Sequence, residues 1–103
     1  MRHAGPDVLA RIEPLLAALR ARGVLHEMRP GVFYLKSRAF LHFHDDPSGV
    51  YADVRFADAF VRLRVTTDSE QADLLERIDD CLVSVEARTD KRRPRERGAG
   101  RRR

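Results

Sequence analysis

The chain predicts an α+β domain: an antiparallel sheet of three or four strands with an N-terminal and a C-terminal helix packed on one face. Three observations predict it. Apolar side chains recur at helical spacing over residues 7–22 and again over 67–85. Between them, residues 31–66 alternate apolar and polar side chains, the period of a strand. Turn residues, Arg29-Pro30-Gly31 and Asp45-Asp46-Pro47-Ser48-Gly49, divide that region into segments. Two amphipathic helices and a half-apolar sheet cover one another's apolar sides, so both helices are expected on the same sheet face.

In the first helix Val8, Leu9, Ile12, Leu15, Leu16 and Leu19 share one face. Pro6 or Asp7 starts it, and Gly23 stands where a left-handed C-terminal residue is wanted. Pro14 lacks an amide hydrogen, so it kinks the helix or splits it into two pieces. A first strand is expected over residues 24–28. In residues 32–44, Phe33, Leu35, Ala39, Leu41 and Phe43 keep one parity, with a bend or bulge expected at Lys36-Ser37-Arg38 because strands average five or six residues. Residues 50–56 and 60–66 form the next strands, with His44 opposite Tyr51, His42 opposite Asp53 and Leu41 opposite Val54. A slip by one residue would mix the histidines with valines. Thr67 and Glu70 fit a capping box at the start of the last helix, whose apolar face carries Leu74, Leu75, Ile78, Cys81, Leu82 and Val85.

A chain of 103 residues is one domain, with 43% hydrophobic residues for a modest core and 35% charged residues for a solvated surface. Residues 1–87 are expected to form that domain, and 88–103, nearly without apolar side chains, a disordered basic tail. The net charge of +4 divides unevenly. Residues 1–87 hold eleven basic and fourteen acidic side chains, whereas 88–103 hold nine basic and two acidic ones. No apolar run approaches the roughly 18 residues that span a bilayer, so no membrane association is expected. The first residues lack the apolar core of a secretion signal, and the single cysteine excludes an intrachain disulfide; together they predict a cytoplasmic protein.

The polar side of the expected sheet carries the candidate chemistry. Lys36, Arg38, Arg55, Arg62 and Arg64 supply positive charge, and Phe40 and Tyr51 supply contact area. Cations interleaved with aromatic rings on a sheet are suited to nucleic acid or a phosphorylated ligand. The leading expectation is therefore a non-enzymatic module that holds an anionic partner and needs no cofactor. The basic tail would add salt-sensitive attraction to polyanions. As an alternative, His42 and His44 at i and i+2 on a strand point the same way, and Asp53 opposite them completes a two-histidine, one-carboxylate set for a divalent metal. Cupins also use a His-x-His strand, but the glutamate and later histidine that complete their site are missing here. A third reading makes the aromatic sheet face a homodimer interface. Cys81 reads as a core residue, and His3 and His26 have no evident partner.

The stretch Pro30-Gly31-Val32-Phe33-Tyr34 and the following Lys36-Ser37-Arg38-Ala39-Phe40-Leu41-His42-Phe43-His44 resemble a family of small actinobacterial proteins with no assigned activity. The resemblance spans about residues 24–85 and agrees with an Arg-, Ala- and Asp-rich composition typical of a GC-rich bacterial genome. It implies no catalytic or binding residues.

Overall fold

The computed structural model describes residues 2–92, with side chains described through Val85. It is an α+β domain with the element order β1 (Arg2–His3), α1 (Pro6–Arg11), α2 (Glu13–Arg20), β2 (Leu25–Arg29), β3 (Val32–Leu35), β4 (Arg38–Asp46), β5 (Gly49–Arg55), β6 (Phe60–Arg64) and α3 (Asp68–Arg92). The antiparallel sheet runs β2-β3-β4-β5-β6, and β1 pairs with β4. It is larger than the expected three or four strands. The expected basic tail lies, from residue 93 onward, outside the described residues, and α3 continues through Arg92.

Pro14 splits the first helix. Ile12 leaves helical geometry at φ −106°, ψ 22°, and α2 begins at Glu13 with the proline in its first turn, where a missing amide hydrogen costs nothing. The two pieces still present one apolar stripe, because Ile12 N donates to Val8 O and Leu16 N donates to Ile12 O. Gly23 does not form the expected left-handed cap: the described glycines with positive φ are Gly31 and Gly49. Gly49, at φ 143°, backs onto the Thr66 hydroxyl, leaving no room for a Cβ. That hydroxyl accepts from Val50 N at 2.8 Å and so ties the chain just after β6 to the start of β5.

The sheet departs from the expected pattern between Lys36 and Leu41. The chain does not bend there but reverses: Leu35 pairs with Arg38 across a two-residue turn in which Lys36 (φ 53°) and Ser37 (φ 71°) are both left-handed. Such turns match the twist of the strands they join and ordinarily hold Asn-Gly, a signal that Lys-Ser does not carry. Three residues later the register shifts. Tyr34 faces Ala39 and Phe33 faces Leu41, so Phe40 and Leu41 together oppose one residue. This bulge inverts the parity of β4. Phe40, expected on the polar face, is only 2% exposed and belongs to the core, while Ala39 turns to the opposite side with Tyr34.

Beyond the bulge the expected register holds, with Leu41 opposite Val54, His42 opposite Asp53 and His44 opposite Tyr51. Phe33, Leu41, Phe43, Ala52 and Val54 thus meet Ile12, Leu15, Leu16 and Leu19 from the first helices and Leu74 and Ile78 from α3 in one buried cluster. The capping box is complete: Glu70 N donates to Thr67 Oγ1 at 3.1 Å, and Thr67 N donates to Glu70 Oε1 at 3.0 Å. Arg22 forks onto Asp79 at 2.7 and 2.9 Å, clamping the chain after α2 to α3.

Candidate metal centre

The sheet face turned away from the helices gathers three imidazoles. Pairing places His42 in a row with Asp53 and Arg62, and His44 in the next row with His3, Tyr51 and Arg64. His3 comes from β1, which uses the length of β4 that β3 leaves unpaired. It is held by the Arg2–Asp45 ion pair at 3.3 Å and by Ala4 N donating to Phe43 O at 3.1 Å. The His3 and His44 rings stack at 4.9 Å between centroids, His42 meets His44 edge-on at 4.9 Å, and His3 and His42 are 5.8 Å apart. One ring nitrogen from each lies within 4.8 Å of the other two.

Burial differs across the cluster. His42 and His44 are half-buried, whereas His3 is exposed and forms the solvent side. His42 Nδ1 and His44 Nε2 are both buried without a hydrogen-bond partner. A buried polar atom left unmatched costs about 1–3 kcal/mol, so His42 Nδ1 needs a cause. His44 Nε2 lies 3.0 Å from Asp53 Oδ2, so that nitrogen has a carboxylate oxygen beside it. We read that contact as electrostatic.

Asp53 is itself committed. It is 8% exposed and receives a fork from Arg62, Nε to Oδ1 at 2.7 Å and Nη2 to Oδ2 at 2.9 Å. These hydrogen bonds hold its carboxyl below the usual carboxylate range against the opposing effect of burial. Burial first, and then the proximity of His44, lowers the pKa of His42, with His3 and Arg62 adding to the effect and Asp53 opposing it. His42 is therefore neutral at neutral pH and keeps a nitrogen lone pair available. Phe60 closes one side of it at 5.2 Å between ring centroids, beneath the Arg55 guanidinium at 4.5 Å.

Of the expected metal set, His42 and His44 come together, and the third group converging on them is His3. Asp53 stands behind His44 as a clamped anion. Nothing in the sequence marks His3, because a two-residue strand is too short to show a period.

The expected anion-binding residues separate into two groups. Arg62 is forked onto Asp53, and Arg64 onto both oxygens of Glu70 at 3.0 and 2.9 Å. Tyr51 shares a hydrogen bond of 2.8 Å with Ser48 Oγ. Lys36 and Arg38 stand at the β3–β4 turn, where Arg55 and the buried Phe40 join them around one cleft.

Three imidazoles suit zinc, copper, nickel or iron, and leave coordination positions for water or another ligand. No protein-family model, curated protein or solved structure matches this chain. Among the described residues, no helix is long and apolar enough to cross a membrane.

Proposed function

We propose that this protein is a binding module for a divalent transition metal, zinc first, held by His3, His42 and His44. The observation that carries the reading is the convergence of three ring nitrogens within 4.8 Å of one another, beside a buried His42 Nδ1 that lacks a hydrogen-bond partner. A metal ion would satisfy such nitrogens. Asp53, fixed by Arg62, would favour the positive charge gathered at His44, the service that carboxylates behind metal-bound histidines commonly perform. The exposed side at His3 leaves room for a further ligand from solvent. We place the protein in the cytoplasm, a setting that fits the lone thiol of Cys81.

The test is a titration of zinc, and of cobalt as a spectroscopic substitute, into chelator-stripped protein prepared without a histidine tag. The expected result is one ion per chain with a Kd below about 1 µM, equivalent to ~8 kcal/mol. Affinity should be lost in both His42→Ala and His44→Ala. Binding of equal strength in those variants would overturn the proposal, as would no binding by the parent.

A further inference from the structure

A second site, sharing no ligand with the histidines, lies where the sheet meets α3. A cleft of about 660 Å³ opens there beside the β3–β4 turn. Leu35, Phe56 and Val85 are among its apolar walls, and among the described lining residues Lys36, Arg38 and Arg55 supply positive charge against one acid, Asp58. The walls are built rather than incidental. Phe40 reaches them through the bulge that buries it, and the Phe56 ring is backed by the Arg77 guanidinium at 4.8 Å. Cys81 ties α3 to the same corner, donating to Phe56 O at 3.6 Å. Arg55 is aimed by its own hydrogen bond, Nε to Ala39 O at 3.0 Å.

Lys36 and Arg38 are carried by the turn in which Lys36 and Ser37 both adopt left-handed conformations. Such conformations are costly for residues other than glycine and asparagine, and strain of this kind gathers at functional sites. Here it sets two cations at the lip of an apolar cleft. The volume falls within the range of small-molecule sites, which combine apolar walls with a few placed polar groups.

We propose that this cleft binds a small amphipathic anion, its apolar body against Leu35, Phe56 and Val85 and its carboxylate or phosphate against Arg38 and Arg55. A charge-assisted contact to a guanidinium selects the head group, and wall area selects the body. Neither of the forked arginines of the open face, Arg62 or Arg64, takes part.

The test uses the full chain and the fluorescent anion 8-anilinonaphthalene-1-sulfonate, displaced by decanoate, decyl phosphate, decanol or inorganic phosphate. Saturable fluorescence with one probe per chain is expected, displaced by decanoate or decyl phosphate but not by decanol or inorganic phosphate. The stronger of the two displacers identifies the preferred head group. Arg38→Glu should weaken the probe by about tenfold, the scale of one hydrogen bond between charged groups. Ala57→Trp, at the exposed rim, should block it. Both positions are solvent-exposed, so unchanged melting temperatures will show that these variants fold. His42→Ala should leave the probe bound, which separates this site from the metal centre. Equal probe affinity in the parent, Arg38→Glu and Ala57→Trp would overturn the proposal, as would displacement by decanol as effective as by decanoate.

Discussion

His3 lies flat against His44, with ring centroids 4.9 Å apart and planes inclined by 30°, although two helices and two strands separate them in the chain. The contact exists because β1 pairs with the end of β4 that β3 does not reach. His3→Ala should therefore weaken zinc binding at least tenfold, roughly the loss expected when even a supporting group of a metal site is removed. Because His3 is exposed, stability of the metal-free protein should change by less than about 0.5 kcal/mol. Competition with a chromophoric chelator and urea denaturation measure the two effects. A stability loss without an affinity loss would make His3 a packing ring alone.

His42→Phe should separate stability from binding. It removes a buried nitrogen with no partner while keeping a flat ring beside Phe60. The metal-free protein should gain about 1 kcal/mol, since an apolar replacement removes the cost of an unmatched polar atom. Zinc should no longer raise the melting temperature of the variant. A thermal melt with and without zinc reads both.

The β3–β4 turn should be improvable. Replacing Lys36-Ser37 with Asn-Gly relieves two left-handed conformations and should stabilise the fold by about 1 kcal/mol. The gain will appear as a higher urea midpoint at unchanged slope. A loss would mean that interactions of the Lys36 or Ser37 side chain outweigh the backbone cost.

Phe40→Ala tests where that ring resides. A ring in the core should cost about 3–5 kcal/mol on truncation, whereas a ring exposed on the sheet surface would cost far less. At 2% exposure the larger figure is expected, a substantial fraction of the stability of a small domain. Equilibrium denaturation decides between them.

Acid should destabilise the protein through its paired carboxylates. Glu27 is held below the usual range by its hydrogen bond from Arg20, with the Gly31 amide assisting, and Asp79 by its hydrogen bond from Arg22. Their folded-state pKa values are lowered, so their contribution is present above the unfolded-state values of about 3.9 and 4.3 for Asp and Glu and is lost as pH falls through the folded ones. Melting temperature should decline gently from pH 7 to about 5, because the unfolded chain protonates His42 more readily than the fold does, and fall more steeply below that range as the carboxylate pairs are lost. Glu27→Gln should lower the melting temperature at pH 7 slightly and flatten the slope below pH 5; an unchanged slope there would show that this pair contributes nothing.

Much of the fold is legible in local pattern. The face that each β4 and β5 side chain takes follows from parity, because a slip by one residue would bury His42 and His44 among valines. The break at Pro14 and the Thr67–Glu70 box follow from what a proline lacks and what a helix start requires. The site was half legible: adjacent parity joined His42 and His44, but the ring that joins them from outside the strand left no periodic trace.

Sequence by itself determined which faces are apolar, how the helices begin and divide, and that two imidazoles share a side of one strand. These properties depend on residues a few positions apart, within reach of a backbone period. Tertiary structure alone decided that the chain reverses at Lys36-Ser37, that Phe40 turns inward, that Arg62 and Arg64 are held by carboxylates and that His3 meets His44. Each of these depends on a partner brought close by the packing of the whole sheet, and packing is a relation between distant segments that no local spacing records.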